Sequence, residues 1–181
     1  MASIYGVTIK NVKEWSGMEG IATQANVYYG GKRVGMWTDD GYGGCGRFDF
    51  DTDIIKPAVE KFFKKWQKEH KGTIYENLYG DDEHMEFSFY DNFMSEVANL
   101  YDMEKEYKKN AKKGYNVIVK WHVKIDTKKY PDAKPLIHTD YFNKIATKKD
   151  FKEAIANIDK KHSSKDIVIK EINDSPNFDI K

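Results

Sequence analysis

The sequence predicts an α+β protein: an N-terminal antiparallel β-meander with packed helices, followed by a second small β-α-β portion. Three observations carry this expectation. Ile4 to Phe50 is rich in β-branched and aromatic residues punctuated by glycine turns, segments 54–69 and 91–113 carry apolar residues at helical spacing, and Tyr115 to Ile125 returns to alternation before another helix and strand. The 181 residues suffice to bury a core as one domain or two small ones. The division reads as 1–72, meander plus helix, and 73–181, helix and mixed β/α portion, with a soft boundary near Lys71 to Ile74 in an otherwise continuous chain.

Ile4 to Val12 reads as the first strand, and Ala22 to Tyr29 as the second, after the loop Trp15 to Gly20. Gly30 and Gly31 accept positive φ without a steric penalty and stand between Val27-Tyr28-Tyr29 and Arg33 to Trp37, the pattern of a tight hairpin. Asp39 to Gly46 places four glycines in eight residues and closes a three- or four-stranded sheet before a short strand, Arg47 to Phe50. Asp53 is the expected N-cap of a helix over 54–69, whose Ile55, Val59, Phe62, Phe63 and Trp66 share one face, with Pro57 tolerated in its first turn and Gly72 at its end. Residues 73–90 stay open: Ile74 to Tyr79 suits a strand or a loop, and Met85 to Tyr90 alternates like a strand.

A second helix is expected from Asp91 or Asn92 to Lys113, closed by Gly114, with acids early and lysines late to complement its dipole. Tyr115 to Ile125 is the clearest isolated strand, with Val117, Val119, Trp121 and Val123 on one side. A loop through Pro131 to Pro135 and a short strand near Leu136 to Thr139 come next. Thr147 caps a helix from Lys148 to about Lys161, with Asp150 in capping-box position, and Asp166 to Ile172 is the final strand before a frayed end.

Charged residues make up 33% and aromatics 14%, and 30 Lys plus Arg against 29 Asp plus Glu leave a net charge of +1. The mean hydropathy of −0.76 therefore reflects a charged surface around an aromatic interior, not disorder. Charge is segregated along the chain: residues 76–106 carry one basic and ten acidic side chains, while 107–181 carry 18 basic and ten acidic. A single cysteine, Cys45, excludes an internal disulfide framework and a cysteine-based zinc site. No apolar run has the length of a signal peptide or of the roughly 20 residues a membrane span needs, so the expected location is cytoplasmic, without membrane partners.

Catalytic motifs are absent. The turn DDGYGGCGR matches neither a Walker loop nor a dinucleotide loop, and it lacks the twelfth-position Glu of a calcium loop. Its first reading is a specified corner of the meander; its second is a contact surface presenting Asp39, Asp40, Tyr42 and Arg47. Cys45 has no family signature around it and no histidine assignable as its base among His84, His122 and His138. His138 with Asp140 is too small a ligand set for a metal, and the row Asp49, Asp51, Asp53 reads more simply as a cap and solvated strand carboxylates, so neither cofactor nor metal is expected. The acidic run with interleaved aromatics, chiefly Asp81, Asp82, Glu83 and Glu86, reads first as a solvated face and second as a docking surface for a basic protein or ribonucleoprotein. Lys108, Lys109, Lys112, Lys113 and Lys120, among aromatic residues, are the candidates for tracking a nucleic-acid backbone.

The hairpin and turn ANVYYGGKRVGMWTDDGYGGCGRFDF resembles an N-terminal pattern of small proteins of phages and other mobile elements: strand, glycine turn, Lys, strand, Asp-Asp-Gly-x-Gly-Gly. The later EYKKNAKKGYNVIV is similar to the second half of the same group. Within it, the chain looks like the anti-CRISPR inhibitors of type II RNA-guided Cas nucleases carried on mobile elements of gut bacteria. The resemblance implies a non-enzymatic inhibitor, acting in the bacterial host cytosol, that binds the nuclease or its guide complex; it carries over no individual functional residue. Direct nucleic-acid binding through the lysine-rich C-terminal half, and a hydrolase using Cys45 or the carboxylate row, are the alternatives.

Overall fold

The computed structural model describes residues 1–43, 46–71, 85–125, 135–144 and 147–181, with the side chains at 69, 70 and 85–88 set aside. In chain order the elements are β1 (Ser3–Ile4), β2 (Val7–Ser16), β3 (Ile21–Tyr29), β4 (Lys32–Asp39), β5 (Arg47–Phe48), α1 (Lys56–His70), α2 (Met85–Ala111), β6 (Val117–Val123), β7 (His138–Phe142), α3 (Lys148–Ile158), β8 (Ile167–Asn173) and β9 (Asp179–Ile180). The class is α+β, as alternation and helical spacing predict. Among the described residues no helix is long and apolar enough to cross a membrane. By its contacts the chain divides into two compact units, 1–104 with 177–181, and 105–176. The expected boundary near Lys71 to Ile74 falls almost wholly outside the described residues.

The first unit is a six-stranded sheet in the order β5-β4-β3-β2-β1-β9. Neighbours from β1 to β5 are antiparallel, joined between β3 and β4 by the Gly30-Gly31 turn, where both glycines adopt positive φ. Two bulges shift register, one between Lys10 and Lys13 of β2 and one between Arg33 and Gly35 of β4, opposite Val27 and Tyr28, and each strengthens the local twist. β9 adds a sixth strand, parallel to β1, with Ser3 opposite Asp179 and Ile4 opposite Ile180. The C-terminal end is therefore not frayed: Ser3 N donates to Phe178 O and Tyr5 N to Ile180 O, both at 2.7 Å, and the Ser3 hydroxyl donates to the Asp179 carboxylate.

One face of this sheet is covered by α1 and α2. Ile4, Val7, Ile9, Ala25, Val27 and Trp37 from the strands meet Ile55, Ala58, Val59 and Phe63 from α1 and its entry, and Tyr90, Phe93, Met94 and Val97 from α2. The two helices interlock through edge-on rings, Phe62 with Phe93 at 5.5 Å, and through Phe63 with Phe89 at 4.2 Å. Two boundaries differ from the sequence expectation. Asp53 does not cap α1; Asp51 accepts from Asp53 N at 3.0 Å and caps a 3₁₀ turn over Thr52–Ile54, after which α1 starts at Lys56 without a side-chain cap and with Pro57 in its first turn. Met85 to Tyr90 is the first part of α2, not a strand, because Phe89, Tyr90, Phe93, Met94 and Val97 form one helical stripe against α1 and the sheet.

The acidic stretch is partly internal. Glu104, on α2, is only 6% exposed and accepts from Ala2 N at 2.7 Å. In the second unit β6 lies between β7 and β8, all antiparallel, and α3 closes one face, packing Phe151 and Ile155 on Val117, Val119, Trp121 and Phe142. The Thr147 cap is as expected, its hydroxyl oxygen accepting from Asp150 N at 3.3 Å while donating to the Asp150 carboxylate at 2.5 Å, but α3 stops at Ile158, three residues short of Lys161. Gly114 closes α2 with φ +89 and a bond from its N to Ala111 O.

Phe93, with no exposed surface, touches both α1 and the sheet cluster. Phe93→Ala is expected to cost about 3–5 kcal/mol of unfolding free energy, measured by urea denaturation. A chain ending at Pro176 should also unfold at lower urea, because it removes β9 and the pairing of Ser3 with Asp179.

Candidate partner-binding surface

Two loops meet at one end of the N-terminal sheet: residues 17–20 between β2 and β3, and the turn that follows β4 from Asp39. Gly17 N donates to Gly20 O, and Glu19 N donates across to Gly41 O, both at 2.8 Å. The approach is close enough that a Cβ on Gly17 would fall within 2.9 Å of the Asp40 and Gly41 carbonyl oxygens, so this position demands glycine. Inside the turn, the Asp39 carboxylate accepts from Gly41 N at 2.8 Å and the Asp40 carboxylate from Tyr42 N at 3.2 Å. These are Asx turns, and both aspartates are engaged in shaping the corner. Gly41 and Gly43 hold φ of +68 and +75.

The turn is anchored to α2 by Asp91. Its Oδ1 accepts from Trp37 Nε1 at 3.2 Å and from Gly46 N at 3.0 Å. Burial pushes the Asp91 carboxyl above its ordinary range, the bonds from Trp37 and Gly46 oppose that rise, and the charge of Asp39 adds to it. A Cβ on Gly46 would collide with the indole nitrogen and this carboxylate oxygen. Asp91 was invisible as a site residue in the sequence, where it reads only as the start of a helix; nothing local links it to a glycine 45 positions earlier.

On this frame stand large apolar side chains that are exposed. Trp15 is 46% exposed, Met18 81%, Ile21 67% and Tyr42 57%. The one sequence signal for them was an apolar methionine in the glycine-flanked loop Ser16 to Gly20. The carboxylate of Glu19 comes close to Gly43 beside them. Of the predicted contact set, Tyr42 is exposed at this end. Asp39 pairs with Thr23 on the side of the sheet that holds Trp37, and Asp40 is turned into the corner. Arg47 pairs with Thr38 on the opposite side, so the four residues do not converge.

The remaining candidates are scattered. Asp81, Asp82, Glu83 and Cys45 lie outside the described residues; Glu86 is in the first turn of α2, its side chain among those set aside. Lys108 and Lys109 occupy the last turn of α2, with Lys112 and Lys113 just beyond it, all exposed. Lys120 stands apart on β6, paired with Glu171 at 3.0 Å. In the same unit burial, then Glu106, hold the Tyr141 hydroxyl up to about 12. Asp49 accepts from Met36 N, Asp51 caps the 3₁₀ turn and Asp53 faces Lys56 at 3.9 Å, so the carboxylate row is split among three separate tasks. His138 stacks on Trp121 at 4.5 Å, and Asp140 accepts from Trp121 Nε1 at 2.7 Å, so both belong to the packing of that indole. Among the described residues no three His, Cys, Asp or Glu side chains group as a metal site.

Compared with protein-family models, curated proteins and solved structures, the chain matches none of them.

Asp91 supplies a pH-dependent test. A carboxyl raised in the folded state lowers stability once it ionises, so its penalty is present at neutral pH and vanishes as pH falls through the raised value. Asp91→Asn keeps an oxygen for both donors and is expected to be as stable as the parent or more so at pH 7, with the difference disappearing in acid. Asp91→Ala strands the Trp37 and Gly46 donors and should cost about 1–3 kcal/mol. Urea titrations of the three proteins across pH check both signs.

Proposed function

We propose that this chain is a non-enzymatic interaction protein of phage or mobile-element origin that inhibits a host nucleic-acid-handling defence enzyme. The reading is that of an anti-CRISPR-like inhibitor in the bacterial cytosol, docking on a type II RNA-guided Cas nuclease or its guide complex through the loop end of the N-terminal sheet. The observation that carries it is the exposure of Met18 and Tyr42 on two loops locked together by hydrogen bonds, with Trp15 and Ile21 exposed at the adjoining strand ends. Exposed Trp, Tyr and Met are the residue types that anchor protein interfaces, and a frame already ordered before binding loses little entropy on docking. The exposed carboxylate of Glu19 at the same end complements a basic partner, and nucleases that hold a guide heteroduplex line their channels with positive charge. The mobile-element resemblance of the same hairpin and turn supplies the partner class.

In a cleavage assay with a purified type II Cas nuclease, its guide RNA and a matching target, the protein is expected to reduce cleavage in proportion to its concentration. Met18→Ser, Ile21→Ser and Tyr42→Ser, all at exposed positions, should each weaken inhibition about tenfold or more without lowering stability. Full inhibition by the triple variant would refute this docking surface. A pull-down from host lysate with and without nuclease treatment separates a direct protein partner from one bridged by nucleic acid.

A further inference from the structure

Residues directly opposed on neighbouring strands share a side of the sheet, so the register of β2 to β5 sorts their side chains into two sets. Ala25, Trp37 and Phe48 form a row on the helix-covered side. The opposite side carries Thr8 and Tyr28 with Arg33, then Lys10, Asn26 and Met36, then Lys13, Gln24, Thr38 and Arg47, and Trp15 with Ala22 at its end; Thr8 and Ala22 are buried. Four of these residues are cations and none is an acid. Glu14 and Asp39 pair with Thr23 and so lie on the other side, while Asp49, just past β5, is taken by the Met36 backbone N–H.

Two of the cations, Lys10 and Arg33, are held by neutral partners. Lys10 Nζ lies 4.4 Å from the centre of the Tyr28 ring, and Arg33 Nη2 donates to Asn26 Oδ1 at 3.1 Å. Lys13, Arg33 and Arg47 are exposed, and among the described residues no carboxylate lies within ion-pair distance of any of the four.

We propose that this open face of the N-terminal sheet is a binding site for single-stranded nucleic acid. Four cations on one side of the sheet, against the single carboxylate of Asp49 at its edge, fit a polyanion, and Lys10 and Arg33, already positioned by a ring and an amide, need little further ordering to meet phosphates. The single-stranded form follows from width. Neighbouring strands are about 4.8 Å apart, so β2 to β5 span roughly 14 Å before side chains are added. A duplex major groove of about 12 Å admits a helix or a two-stranded ribbon, not a face this broad. A single strand can lie across it, backbone on the cations and base edges toward Gln24 and Thr38. Met18, Ile21, Tyr42 and the lysines that end α2 are not among the residues of this face, so the three sets can be substituted independently.

The test is fluorescence anisotropy with labelled oligothymidylate and oligouridylate of about 15 nucleotides, and a duplex of equal length, over a salt series. The expected result is binding to the single strands in preference to the duplex, with a slope of log affinity against log salt of about −2 to −3. The combined variant Lys10→Gln, Lys13→Gln, Arg33→Gln, Arg47→Gln should lose at least tenfold and flatten the slope by roughly 0.7 per removed contact. Arg33→Gln with Arg47→Gln, both at exposed positions, should give an intermediate loss even if the fourfold variant folds poorly. Lys108→Gln, Lys109→Gln, Lys112→Gln and Lys113→Gln together should bind like the parent. The proposal is overturned by no binding at low salt, by equal or tighter binding of duplex, by a loss confined to the Lys108 to Lys113 variant, or by equal competition from polyglutamate.

Discussion

A single oxygen, Oδ1 of Asp91, connects the second helix to the far end of the N-terminal sheet by accepting from both the Trp37 indole and the Gly46 backbone. Trp37 is buried in the sheet core and Gly46 leads into β5, so this oxygen fixes the corner relative to the packed helices. From there order passes outward: Gly41 receives Glu19 N, and the β2–β3 loop is held in turn. The carboxylate is retained at this place although burial and Asp39 both disfavour its charge. Its value lies in geometry, because one acceptor with two lone pairs meets two donors that would otherwise be buried without partners.

Much of the fold was legible because its causes are local. Strand alternation in β2 to β4 reflects a sheet with one covered face, the Gly30-Gly31 hairpin reflects backbone angles that glycine adopts freely, and the stripe from Ile55 to Trp66 reflects a helix with one buried side. Errors arose where local pattern was ambiguous or too short. Phe87 and Phe89 imitate a strand period, yet Phe89 belongs with Phe93 and Val97 on a helix whose partner, α1, is distant in sequence. A two-residue strand such as β9 has no periodicity to read and exists only because β1 offers it an edge. The site was less legible still. Tyr42 was found as exposed, but the register that sends Asp39 and Arg47 to opposite sides, and the contact of Asp91 with Gly46, depend on pairings no single segment encodes.

The segregation of charge along the chain does not translate directly into charged surfaces. Glu104 and Asp91 come from the most acidic stretch, yet one is buried against Ala2 N and the other is shared between Trp37 and Gly46. Conversely, the first 47 residues look unremarkable in net charge, but strand alternation places Lys10, Lys13, Arg33 and Arg47 on one side and Glu14 and Asp39 on the other. In a sheet, period-two sorting decides the sign of each face; local composition does not.

The parallel pairing of β1 with β9 gives the first unit a discontinuous chain: residues 105–176 are, topologically, an insertion between its body and its last strand. During synthesis the sheet remains an open five-stranded edge at β1 until Ile180 has left the ribosome, and the second unit is complete in length before the first one is. Closing an edge over so long a sequence separation belongs among the slow, non-local steps of folding. For that interval the nascent chain carries an unpaired strand edge, the kind of surface at which chaperones and neighbouring chains compete.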